Sequence, residues 1–240
     1  MICLIIPALN EEEPIGDVVR SIPKDVIDQV VVVDNGSTDR TSERAREAGA
    51  LVIREPRRGY GIACRSGAEF GWEMGAEVIA FLDGDGSDCP KFMHQIVSPI
   101  VSGEYDFVIG SRTRGNREKG SLTLQQLWSG RLAGIILRAL YGVAYTDMSP
   151  FRAIRADLLK TLNLQDETYG WNLEMQMRVA AFGARILEIP VDHRVRRGGK
   201  SKVSGTFSGT AIAGVRILLT FLRVAATHSQ PTLRPREITP

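Results

Sequence analysis

The sequence predicts an α/β fold with a mostly parallel central sheet flanked by helices and a helical C-terminal extension. Three observations predict it. Short runs rich in Val and Ile alternate with helix-length segments through the first half of the chain. Polar clusters rich in Asp, Asn and Gly follow three of those runs. The 240 residues are 43% hydrophobic and 24% charged, an ordinary balance for a soluble chain that can bury a sizeable core.

Taken in order, Cys3–Ile6, Val30–Val33, Leu51–Ile53, Val78–Leu82 and Phe107–Ile109 read as buried strands, being short and bounded by turn residues. Between them Glu12–Ser21, Arg40–Ala48, Gly61–Met74 and Pro90–Val101 read as helices. Thr38, Asp39 and Asp88 stand where caps are needed, and Pro90 suits a first helical turn. Past Arg112 the pattern changes. Arg114–Gly120 has loop composition, Leu122–Tyr141 and Trp171–Phe182 read as helices, and Arg185–Ile189 as one more strand. Arg194, Arg196, Arg197, Lys200 and Lys202 then crowd together with no acid among them. Phe207–Ala226 reads as a helix, and residues 227–240, with three prolines, as a disordered tail.

Composition excludes several classes. Thirty Lys and Arg against twenty-eight Asp and Glu leave +2, which does not suggest a nucleic-acid binder. Cys3, Cys64 and Cys89 are scattered without metal-ligand spacing, as suits a reducing compartment. Ile2–Ile6 is too short for a signal peptide and Val203–Val215 too short to span a bilayer, so a cytoplasmic protein is expected. Neither phosphate-binding glycine motif follows the first strand, which argues against kinase-like ATP use and dinucleotide binding. His94, His193 and His228 stand apart from the acidic clusters and read as ordinary histidines. Trp72, Trp128 and Trp171 read as packing residues.

Ligands of open parallel sheets sit beyond the carboxyl ends of the strands, and there the clusters converge. They are Pro7-Ala8-Leu9-Asn10-Glu11, Asp34-Asn35-Gly36-Ser37-Thr38-Asp39 and Asp83-Gly84-Asp85-Gly86-Ser87-Asp88. Two carboxylates as close as Asp83 and Asp85 repel unless a cation lies between them. A hard divalent ion shared with substrate phosphates, Mg²⁺ or Mn²⁺, meets that need. Gly84 leaves room for a ligand's close approach. Asn10, Glu11 and Asp34 suit the donor edge of a base and ribose hydroxyls.

These motifs, with Gly110-Ser111-Arg112, Thr146 to Arg152, Glu174-Met175-Gln176 and Arg197 to Lys202, resemble family 2 glycosyltransferases of the GT-A fold. The second half resembles the branch that includes dolichyl-phosphate mannosyl- and glucosyltransferases. The resemblance runs from Ile2 to about Arg223. It implies one domain over 1–226, with a nucleotide-binding half to residue 112 and an acceptor-side half after it. It further implies inverting transfer of a hexose, from UDP-glucose or GDP-mannose, to a polyprenyl phosphate at the membrane surface. Pro7, Leu9, Asn10, Glu11, Asp34, Gly36, Ser37, Asp83 and Gly84 would hold the nucleotide sugar, and Asp83 and Asp85 the metal. Arg112, Arg197, Lys200 and Lys202 would grip the donor's diphosphate or the acceptor phosphate.

An ionised phosphate acceptor attacks without a general base. Were a base needed, Glu174 and Asp147 are the carboxylates expected to supply it. The chain departs from the family in having Asn35 in place of a second Asp and Ser87 in place of a metal-binding Gln. Within these 240 residues no C-terminal transmembrane helices like those of longer relatives are expected. On 207–226 the only charges are Arg216 and Arg223, on one face, which suits either peripheral membrane contact or a homo-oligomer interface. The alternatives are a transferase with a soluble hydroxyl acceptor and a non-catalytic nucleotide-sugar-binding protein.

Overall fold

Alternation of buried side chains along a central strand organises the molecule. In β1 (Ile2–Ala8) Cys3 and Ile5 face one way and Leu4 and Ile6 the other, and all four are fully buried. A strand apolar on both faces needs cover on both, and the chain supplies it. The computed structural model describes residues 1–198. Lys200, Lys202, the helix expected over 207–226 and the tail 227–240 lie outside the described residues.

The first half follows the expected order. After β1 come α1 (Ile15–Arg20), β2 (Gln29–Asp34), α2 (Thr41–Glu47) and β3 (Leu51–Arg54). Then follow α3 (Tyr60–Glu73), β4 (Val78–Phe81), a 3-10 turn at Pro90–Phe92 leading into α4 (Met93–Val101), and β5 (Phe107–Ser111). Pro90 opens that turn as expected, and Asp39 accepts from the Thr41 amide at the start of α2. Asp88 does not cap a helix. It turns inward, as described below.

The second half adds α5 (Leu124–Tyr141), β6 (Arg152–Arg155), α6 (Ala156–Leu162), α7 (Trp171–Phe182) and β7 (Ile186–Pro190). The seven strands run in the order β3-β2-β1-β4-β6-β5-β7. All pairs are parallel except those of β6, which lies antiparallel between β4 and β5. The sequence reading contains neither β6 nor α6. Arg152 and Arg155 break the apolar pattern of that strand, yet Arg152 is only 1% exposed.

The β5–β7 end is tied by charge. Asp106, just before β5, accepts from Arg155 of β6 at 2.9 Å and from Arg185, which precedes β7, at 2.8 Å. Helix α5 starts at a capping box, Thr123 with Gln126, and ends on Gly142 in the left-handed region (φ +73°). Among the described residues no helix is long and apolar enough to cross a membrane.

Helix α3 lies against β1 and β2 because Gly67 allows it. A Cβ there would stand 2.3 Å from Ile5 Cγ2 and 2.9 Å from Val33 Cγ2. Gly67→Ala is therefore expected to overpack this layer at a cost of about 1–3 kcal/mol. The check is the melting temperature, which should fall by several degrees.

Candidate functional site

A cleft of about 290 Å³ opens at the carboxyl ends of the parallel strands. Pro7 reaches it from the end of β1, Leu9 and Glu11 from the turn after it, and Asp83, Gly84 and Asp85 from the turn after β4. Arg112 enters from the end of β5, and Thr123 and Gln126 from the start of α5. Val195 and Arg196 close the remaining side.

Negative charge is concentrated on its floor. Asp83 opens to the cleft on one side and is otherwise enclosed by protein. Loss of solvent, with Asp85 and Asp88 beside it, pushes its carboxyl up to about 8. One Asp85 oxygen accepts from the Ser87 amide and hydroxyl, at 2.9 and 2.6 Å. The Tyr60 hydroxyl, which burial keeps protonated, donates to Asp83 at 3.3 Å. Asp88 accepts from the Asp83 amide through Oδ2, while its buried Oδ1 makes no hydrogen bond.

Crowded carboxylate oxygens with an unsatisfied remainder of charge fit a hard divalent cation such as Mg²⁺ or Mn²⁺. Among the described residues no three His, Cys, Asp or Glu side chains form a complete metal site. Asp83 and Asp85 would therefore share the ion with a substrate's phosphates, the usual arrangement for Mg²⁺.

Across the cleft stands a fixed cation. The buried Arg112 guanidinium makes a fork to Asp147, Nε to Oδ2 and Nη2 to Oδ1, both at 2.8 Å. The Arg112 amide adds a third bond at 2.9 Å. Burial alone would raise the Asp147 carboxyl, but the charge and bonds of Arg112 outweigh it and hold the carboxyl below its usual range. Asp147 is thus a buried anion that orients Arg112, which corrects its expected role as a base.

Glu174 is corrected too. Fully buried on α7, it pairs with Arg178 at 2.8 Å and accepts from the amides of Gln165 and Asp166. These bonds fix the loop carrying Tyr169, whose ring stacks on Tyr60 at 5.8 Å.

The other expected nucleotide-site residues lie beside the cleft, where Asn10, Asp34 and Ser37 brace one another and the Gly36 carbonyl accepts from Arg58. Ser37 accepts from the Asn10 amide, Asn10 from the Thr38 amide, and Asp34 from the Ser37 amide. Asn35 does line the cleft, and its amide donates to the carbonyls of Glu55 and Arg57 and accepts from the Gly59 amide. An aspartate could not donate those two bonds, which accounts physically for the departure at this position.

In the basic segment, Arg197 holds the Asp85 carbonyl through its amide, at 2.9 Å, and does not line the cleft. The guanidinium inside is that of Arg196, bonded to both Glu11 oxygens at 2.7 and 2.9 Å. His193, read from sequence as ordinary, lines the cleft with its Nδ1 3.5 Å from Asp88. Those two residues are far apart in sequence, so no spacing motif signals them.

Comparison with known proteins shows the family and the fold. The model described as glycosyl transferase family 2 matches residues 3–162. An uncharacterized glycosyltransferase of Mycobacterium tuberculosis is 34% identical over 216 residues, 88% of this chain and 94% of its own. The undecaprenyl-phosphate mannosyltransferase of Micrococcus luteus is 32% identical over 228 residues, 88% and 90% of the two chains. Among solved structures, glucosyl-3-phosphoglycerate synthase from M. tuberculosis, in complex with Mn²⁺, UDP-glucose and phosphoglyceric acid, matches with a TM-score of 0.69. It is 23% identical over 97% of this chain and 81% of that one, a likeness of fold, and that fold is GT-A.

A carboxyl whose folded pKa lies above its unfolded value keeps its proton better when folded. Its contribution to stability is present at low pH and is lost as pH rises from about 4 towards the folded value. In chelator at pH 8, Asp83→Asn should therefore melt several degrees above the unchanged protein, with the gap closing towards pH 4. Thermal melts across that range, with and without Mn²⁺, provide the check, and Mn²⁺ should stabilise only the unchanged protein.

Proposed function

The chain belongs to glycosyl transferase family 2, and from that membership we propose that it moves a hexosyl group from a nucleotide diphosphate sugar to a polyprenyl phosphate at the cytoplasmic membrane surface. The observation that carries the proposal is the meeting, in one cleft, of the Asp83–Asp85 carboxylates with the fixed guanidinium of Arg112. Mg²⁺ or Mn²⁺ held by those two carboxylates would neutralise charge on the donor's diphosphate.

The protein's own groups do the rest. Arg112, locked by Asp147, presents a cation to phosphate oxygens without having to reorganise as charge develops on the leaving nucleotide. Arg196 is placed to exchange its Glu11 partner for a phosphate. Lys200 and Lys202 are assigned to the same task by resemblance alone. An incoming phosphate dianion attacks the anomeric carbon from the face opposite the leaving group, with inversion.

The pairing of the two expected bases supports a phosphate over a hydroxyl acceptor. Asp147 is committed to Arg112, and Glu174 to Arg178 and two amides. A sugar hydroxyl needs a base at the site, whereas an ionised phosphate does not. The M. luteus relative, named for mannose and undecaprenyl phosphate, favours mannose as the sugar. Glucose remains the second donor to assay.

The test is transfer of radiolabelled hexose from GDP-mannose and UDP-glucose to a short-chain polyprenyl phosphate with Mn²⁺. One donor should label the lipid, and Arg112→Lys should lower kcat/KM about 10–1,000-fold by losing the oriented fork. Labelling of a soluble hydroxyl acceptor instead would overturn the assignment of the acceptor.

A further inference from the structure

Helix α5 hides little of its apolar surface. Gly130, Ala133, Gly134 and Leu137 pack inward, and Gly134 sits so close to the Tyr145 carbonyl that a Cβ would stand 2.1 Å from it. On the outer side Leu124 is 76% exposed, Trp128 69% and Ile135 67%, with Leu132 at 53% beside them. Positions 124, 128, 131, 135 and 138 advance by four and three, so Arg131 and Arg138 share the stripe with these apolar residues. The stripe is one wall of a groove whose other wall includes Arg114 and Arg117.

Scattered exposed leucines need no explanation, but a line of Leu124, Trp128 and Ile135 with arginines set among them does. The whole of α5 contains neither Asp nor Glu. That charge selects the occupant. Residues 199–240 carry Lys200, Lys202, Arg216, Arg223, Arg234 and Arg236 against Glu237 alone, so they repel a basic face. A second copy docking α5 on α5 meets the same repulsion.

We propose that this face of α5 is the seat of the protein on an anionic bilayer, with Leu124, Trp128 and Ile135 at the acyl boundary and the arginines among lipid phosphates. Thr123 and Gln126, at the start of the same helix, line the catalytic cleft, so the seat brings the mouth of that cleft to the lipid surface. Only this last link rests on the proposed acceptor, because the seat itself follows from the helix surface. It adds to, or replaces, the contact expected from 207–226.

The experiment is flotation of the full chain with phosphatidylcholine vesicles containing or lacking 30% phosphatidylglycerol. The unchanged protein should float with the anionic vesicles and less so as salt rises. Trp128→Ser/Ile135→Ser should bind about tenfold or more weakly. Arg131→Gln/Arg138→Gln should lose the preference for anionic lipid, and Trp128→Phe should retain binding. Circular dichroism melts confirm that each variant folds, as expected for exposed positions.

No flotation of the unchanged protein, or equal flotation of the double serine variant, overturns the proposal. So does a dimer by light scattering that the serine variant dissociates. Transfer to detergent-dispersed short-chain polyprenyl phosphate is measured alongside. Flotation without transfer would refute the acceptor and leave the seat intact, whereas transfer without flotation would do the reverse.

Discussion

Three carboxylates within one six-residue turn are the constraint to which the rest of the site answers. Asp83, Asp85 and Asp88 follow β4 so closely that the charges of the other two both bear on Asp83. Every neighbouring element supplies something against that charge. Tyr60 of α3 donates a hydroxyl, β5 ends in Arg112, and the wholly buried Arg152 of β6 adds its cation from beneath. His193 and the backbone of Arg197 close over the turn. What these groups leave uncompensated is negative charge that a bound cation would answer.

The chain's first half was legible because its physics is local. A run such as Val30–Val33 is a strand in any context that covers both faces, and turn clusters after strands mark where ligands gather. The second half was less so. Strand β6 contains Arg152, whose burial depends not only on the nearby Pro150 carbonyl but on the Asn172 carbonyl and the charge of Asp83, neither of which is close to it in sequence. The roles of Asp147 and Glu174 were missed for the same reason. A carboxylate in a promising motif looks like a base until its partners are visible, and Arg112 lies 35 residues away from Asp147.

Asn35 and His193 show the two directions in which a site reading can err. Asn35 reads from the sequence only as a departure from the family's second Asp, and it proves to be a staple between the end of β2 and the approach to α3. His193 looked inert for want of a carboxylate and has one, Asp88, 3.5 Å away. In neither case do the sequence neighbours reveal the partner. Hydrogen-bond capacity is a property of the residue, while its use is a property of the fold.

The antiparallel placement of β6 beside β5 has a consequence for how such a protein can change. The chain leaves the sheet at Ser111, wanders through 112–151 and returns to the adjoining strand, so the whole excursion is an insertion between neighbours. Its two ends are clasped by Arg112 on Asp147 and by the Ser111 and Thr146 hydroxyls at 2.7 Å. Loop-closure entropy grows only slowly with length, so the exposed stretches inside the clasp can be lengthened at little cost to the sheet. Ala133 and Leu137 of α5 stay packed in the core and Thr123 and Gln126 stay in the cleft, so what is free to be rewritten is the outward surface of 113–146, while the charged turn after β4 stays as it is.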